Sequence, residues 1–183
     1  MLPDELISAF RDDNVTHGRS GFLSKNENMM SDLKTVLEQE RRLVLPKFDE
    51  DIAFELGTIG WRIASERQLP IAIDIRTFDR QIVYLSRPGA SSNNSEWVRR
   101  KANTVRRFLK STYRIVLEQG REGEFSPKTG ADIADYVMAG GGFPIVVQNA
   151  GIIGSLTISG LTGEEDHAFA AQILMEHLKI DPA

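Results

Sequence analysis

The chain is 183 residues long, about one ordinary domain, and a domain of this size hides roughly 70% of its unfolded surface without needing a staple. Hydrophobic residues at 41% and charged residues at 26% exclude a disordered or fibrous chain, and the lack of cysteine excludes disulfide scaffolds, thiolate metal sites and cysteine nucleophiles. A net charge of −4 argues against a surface that grips nucleic acid throughout, and three scattered histidines offer no metal cage.

The opening Met1-Leu2-Pro3-Asp4-Glu5 is acidic and no unbroken apolar core follows it, so the expected location is cytoplasmic. Pro3 to Phe10 reads as a short helix, with proline at its first turn and acids at the positive end of its dipole. Arg11 to Asn28, which contains His17, shows no period and reads as an exposed connection or a disordered arm. Residues 1–28 are therefore expected to form an N-terminal arm, and residues 29–183 a single domain.

Met29 to Leu43 reads as a helix that ends before Pro46. Asp49 caps the next, whose apolar residues Ile52, Leu56, Ile59 and Ile63 recur every three to four positions. Gly57 and Gly60 each cost such a helix about 1 kcal/mol relative to alanine, which predicts close backbone approach to a sheet. Ile71–Phe78 and Gln81–Arg87 read as a strand pair turning at Asp79-Arg80. Asn94 or Ser95 is the expected cap of a helix through Lys110, buried along Val98, Ala102, Val105 and Leu109. Gly120 to Gly130 is an excursion, and a short helix is expected over Ala131 to Met138.

Tyr136 to Gly163 is 28 residues without a formal charge, long enough on paper to cross a bilayer. Its seven glycines, Pro144 and the central Gln148-Asn149 pair argue for a buried hairpin instead, with strands Phe143–Gln148 and Ile152–Ser159 around an Asn149-Ala150-Gly151 turn. Thr162-Gly163-Glu164-Glu165 matches a capping box that opens a final helix to about Lys179. Hairpins separated by helices imply an α+β domain with an antiparallel sheet.

Four constellations bear on chemistry. Gly140-Gly141-Gly142 offers consecutive backbone amides to an anion, or simply a tight turn feeding a strand. Arg99 to Arg114 carries seven basic residues and no acid, among them Arg100, Lys101, Arg106 and Arg107, a stripe suited to an anionic ligand or an acidic patch on another copy. Glu164-Glu165-Asp166-His167 gathers charge in the first turn of the last helix. Its acids suit the dipole there, and His167 shares a face with Ala171 and Leu174 that could aim it into a cleft as proton carrier or axial ligand. Asp74, between apolar neighbours, must find donors or shift upward in pKa. No zinc-ligand spacing and no serine-nucleophile motif is present.

Gly140-Gly141-Gly142-Phe143-Pro144-Ile145-Val146-Val147, then Gly151, Ile153-Gly154 and Ser159-Gly160, resemble the signature of the haem-degrading-domain family, also called GlcG/HbpS-like. Arg100-Lys101-Ala102 with Thr104, and Ala72-Ile73-Asp74, are similar to that family too. Glu55-Leu56-Gly57, the Trp97–Lys101 segment and Leu156–Leu161 with Glu165-Asp166-His167 resemble its uncharacterised-protein (UPF) branch. The resemblance spans about residues 47 to 180. It implies a profilin-like sheet of about five strands flanked by helices, dimer-based homo-oligomers and, for some members, a haem or related tetrapyrrole ligand.

Three readings follow. The first is a binding module that takes a small anionic or tetrapyrrole ligand near Gly141, Gly142, Arg100, Lys101 and His167, with no metal, nucleic-acid or membrane partner. The second is an enzyme of haem or small-acid metabolism, using His167 and Asp74 as proton carriers. The third is a structural oligomer whose basic helix pairs across subunits.

Overall fold

The computed structural model describes residues 15–181, with side chains from residue 28 onward; the helix expected over Pro3–Phe10 and the His17 side chain lie outside the described residues. Helix α1 runs Val15–Arg42. The connection expected over Arg11 to Asn28 is thus helical from Val15, because extending a packed helix costs far less than nucleating one. After the two-residue strand β1 (Val44–Leu45), helix α2 (Glu50–Glu66) starts where expected, with the Asp49 carboxylate accepting from the Ile52 amide at 2.9 Å.

Strands β2 (Ala72–Thr77) and β3 (Gln81–Ser86) form the first hairpin, and β4 (Gly142–Val147) and β5 (Gly151–Ser159) the second. Asn149 and Gly151 both take positive φ at its turn. The sheet order is β1-β4-β5-β2-β3. Every pairing is antiparallel except β1 with β4, which is parallel, so the expected antiparallel sheet is mixed at one edge. Two residues are too few to show a period, and β1 carries no sequence signal of its own. The uncharged stretch is the second hairpin, and among the described residues no helix is long and apolar enough to cross a membrane.

The two faces of the sheet differ. Ile73, Ile75, Phe143, Ile145, Leu156 and Ile158 point to one side and meet Leu56, Ile63 and Ala64 of α2 and Phe169, Ile173 and Leu174 of helix α5 (Gly163–Leu178). Gly60 lets α2 seat there: a Cβ on it would lie 2.8 Å from Ile173 Cδ1 and 2.9 Å from Ile73 Cδ1, so the expected close approach involves the sheet and α5 together. The other side carries Ala72, Asp74, Ser155, Thr157, Ser159 and Gly142, short or polar groups beneath helix α3 (Ser92–Phe108).

Three local expectations need correction. The cap of α3 is Ser91, and Asn94 is the third residue of its capping box, accepting from the Ser91 amide at 2.7 Å. A separate helix α4 (Thr112–Gln119), capped by Ser111, follows a reversal at Leu109, so the seven cations sit on and between two helices. Residues 131–138 form turns with one bridge from Gly123 to Met138, because side chains of α3 take the backbone oxygens that a helix would need.

Candidate ligand-binding cleft

Lys101 lies three residues after Val98 and four before Val105, on the stripe that the helical period of α3 turns inward. A lysine there needs a carboxylate. Asp166, in the first turn of α5, supplies it: Lys101 Nζ donates to Asp166 Oδ2 at 2.7 Å and to the Ile158 carbonyl at 3.0 Å, with the two side chains only 4% and 2% exposed. Asp166 Oδ1 accepts from the Leu161 amide at 3.1 Å. Burial pushes the Asp166 carboxyl up and the Lys101 amine down, each held back by the opposite charge of the other.

The glycine triplet packs against this pair. Gly141 has φ +115°, and a Cβ on it would stand 2.5 Å from the Ile158 carbonyl oxygen and 2.8 Å from Lys101 Nζ. A Cβ on Gly140 would strike the Gly163 carbonyl. The Gly142 amide donates to Thr112 Oγ1 at 2.9 Å. The triplet therefore brings backbone close to a buried charge and does not present an open row of amides.

Above the pair opens a cleft of about 410 Å³, walled by Asn94 and Trp97 of α3, Glu122 of the excursion and the Gly160–Gly163 corner. Asn94 ties this wall to the sheet by donating to the Ser159 carbonyl at 3.2 Å. The Thr162–Glu165 capping box forms as expected and fixes the corner from which Asp166 projects.

Of the residues expected in the site, the structure brings Lys101, Gly141 and Gly142 together. Arg100 turns away, stacking over Trp97 at 4.3 Å and reaching the Ile133 carbonyl at 3.5 Å. His167 stays outside the cleft. It is 3% exposed, its Nε2 is 2.9 Å from Gln39 Oε1 of α1, and its ring lies 5.2 Å from that of Tyr113 and 5.4 Å from that of Phe143. Burial pulls its pKa down to about 4, and its Nδ1 is buried without a hydrogen-bond partner among the described residues. Asp74 finds its donors locally, from Arg76 at 2.5 and 2.8 Å and from Gln81. It occupies the α3 side of the sheet, whereas His167 packs on Phe143 on the other side, so the two form no common proton-transfer centre.

The basic stripe is largely an internal clamp. Arg99 binds Asp135 at 2.9 Å and the Ala134 carbonyl at 2.6 Å, and Arg107 binds the Thr129 carbonyl at 2.6 Å. Lys110 and Arg114 pair with Glu118, and Arg114 also with Glu40. Asp166, Trp97 and Glu122 were absent from the expected site. The usable signal for Asp166 was the inward placement of Lys101; for Glu122, on an aperiodic excursion, there was none.

A profile of the family described as "Haem degrading protein HbpS-like" matches residues 48–174. A UPF0303 protein of Mesorhizobium japonicum is 48% identical over 151 residues, covering 82% of this chain and 90% of that one. Among solved structures, the Ybr137w protein superposes with TM-score 0.73 at 29% identity, over 80% of this chain and 87% of its own. A PduOC:heme complex superposes with TM-score 0.57 at 22% identity, over 76% and 99%, a likeness of fold.

Proposed function

We propose that this chain, which belongs to the HbpS-like haem-degrading family and is similar to UPF0303 proteins, is a ligand-binding module whose site is the cleft over Lys101 and Asp166. The observation that carries this reading is an ion pair at most 4% exposed beneath an open cleft. Burying two charges costs several kcal/mol per ion, and apolar side chains would hold α3 to α5 at least as well, which supports a role for the polarity itself. Trp97 and Leu161 give the cleft a flat apolar wall, while Asn94, Thr162 and Glu122 add donors and acceptors. The fitting ligand is a small polar molecule with hydroxyl or carbonyl groups on a compact carbon body. The charge of Lys101 is met by Asp166, and Glu122 adds a second carboxylate, so this cleft favours no anion.

Haem does not fit at His167. Its ring is flanked by Tyr113 and Phe143, its Nε2 is engaged by Gln39, and its 3% exposure leaves no face for a macrocycle. The chain's own residues therefore support a haem-independent module.

Self-association is a second part of the proposal, supported by Phe54 and Trp61, 69% and 38% exposed and seven residues apart on the outer face of α2. A dimer-based homo-oligomer joined at this face would bury them.

Native mass spectrometry of the purified protein, with an absorbance spectrum of the same sample and with added glycerol, 1,2-propanediol or haemin, tests the binding reading. The expected result is a stoichiometric non-covalent adduct that Trp97→Ala loses and His167→Ala retains. A bare mass in every sample, or a Soret band lost in His167→Ala, would overturn it.

A further inference from the structure

We infer that the opposite flank of α3 carries a second, separate site, an oxyanion subsite centred on Arg106. Two clefts meet at this residue. One, of about 260 Å³, lies between α3 and the turn of the first hairpin and is lined by Arg76, Arg80 and Arg106 with Asp79 as its acid. The other, of about 480 Å³, lies between α3 and the 131–136 turns and is lined by Arg106, Arg107, Tyr136 and Asp135. Asn103 borders both.

The charges in these clefts do not cancel. Arg76 is matched by the fully buried Asp74, Arg80 by Glu50, and Asp135 by Arg99. Arg107 bonds only the Thr129 and Gly130 carbonyls and stacks 4.9 Å over Tyr136, so dipoles hold it while its charge stays uncompensated. Arg106 makes no hydrogen bond and no ion pair among the described residues. Asp79, already engaged by the Thr77 hydroxyl, is the one remaining carboxylate of the two clefts.

Guanidinium groups repel one another around a shared concavity unless an anion enters it, and the planar guanidinium fork matches a phosphate or carboxylate in two-point contact. Arg107 is fixed in place by its carbonyl partners, so one side of the fork is pre-organised and Arg106 is free to close on a ligand. The ligand class is a small molecule bearing an oxyanion, with the Tyr136 ring as a wall for its carbon portion. The inference does not depend on the Lys101 cleft, which belongs to the inward side of the same helix.

The test is a titration at constant ionic strength, balanced with chloride, of inorganic phosphate and separately of malonate. The arginine Nε–H region of the nitrogen–proton spectrum is followed for the native protein, Arg106→Gln and Trp97→Ala. The expected result is a saturable shift with one of the two anions, weakened at least tenfold by Arg106→Gln and kept by Trp97→Ala. Tighter phosphate binding assigns a phosphorylated ligand, and tighter malonate binding a carboxylate. Shifts that fail to saturate, or that Arg106→Gln leaves unchanged, would overturn the subsite; loss in Trp97→Ala would merge it with the other cleft.

Discussion

The two faces of the sheet are built from alternate residues of the same strands, yet they do different work. On the α2 and α5 side, Ile73, Ile75, Phe143, Ile145, Leu156 and Ile158 are buried among apolar neighbours. On the α3 side, the residues between them are Ala72, Asp74, Ser155, Thr157 and Ser159, beneath a helix that buries Val98, Ala102 and Val105 with Lys101 among them. The first face is held by area removed from water, which is non-directional and tolerant of chemistry. The second adds directed bonds with fixed partners to the apolar contacts of Val98, Ala102 and Val105, and there the protein brings a charged pair to the floor of an open cleft. A period-two strand lets one sequence specify both, with stability drawn mainly from one side and the polar geometry placed on the other.

The contrast predicts different responses to mutation. Phe143→Ala on the apolar side should cost about 3–5 kcal/mol in chemical denaturation, the largest single effect, because it removes buried area and leaves a cavity. A loss below about 1 kcal/mol would break the comparison. On the polar side, Lys101→Met alone should cost roughly 3–5 kcal/mol by stranding the Asp166 charge, and Lys101→Met with Asp166→Leu should recover most of that loss. If the double variant were as unstable as the sum of the singles, the pair would be a net source of stability, not a polar device kept at a cost.

His167 sharpens the comparison, since it is a titratable group on the apolar side. Burial takes its pKa from 6.5 to about 4, so below pH 6.5 the unfolded chain binds a proton that the folded protein refuses. Stability should therefore fall as pH drops from about 6.5 toward 4, by roughly 3 kcal/mol in all, and His167→Gln should flatten that part of the profile. An unchanged slope in the variant would place the acid sensitivity elsewhere. The smallest effect is at the corner beneath the cleft, where Thr162→Ala should cost about 1 kcal/mol by removing the cap of α5. A loss of several kcal/mol would mean that this corner carries tertiary packing as well.

Most elements were legible in the sequence wherever a period and a cap coincided. Asp49 and Ile52 to Ile63 specify α2, Thr162 and Glu165 specify the start of α5, and alternating or β-branched runs specify both hairpins. The α+β class and the HbpS-like family followed from that order and from the motifs at the second hairpin. Elements without a local signal were lost: β1 is two residues held by a parallel partner a hundred positions away, and α4 follows a reversal at Leu109, which carries none of the usual marks of a break.

The site was legible only in part. Lys101 and Gly141 were singled out and do meet, because a motif groups residues that share a location. Arg100 and His167 group with them by motif as well, yet a helix turns neighbours roughly 100° apart, so Arg100 points to the 131–138 turns and His167 to α1. Asp166 lies beside His167 in the sequence and reads there as a dipole partner, since its real partner sits 65 residues earlier. Most of the basic stripe is taken up by backbone carbonyls and by carboxylates distant in sequence, and composition reveals neither pairing.

Trp97 is one of only two tryptophans, so Trp61→Phe leaves a single tryptophan, excited selectively over tyrosine at the red edge of its absorption, on the wall of the cleft. The most direct measurement is a fluorescence titration of that variant with small diols and hydroxy ketones, repeated in the background of Lys101→Met with Asp166→Leu. The account predicts a saturable change with at least one compound, abolished when the buried pair is made apolar while the fold is retained. A response that persists without the pair, or no saturable response to any compound, would contradict it.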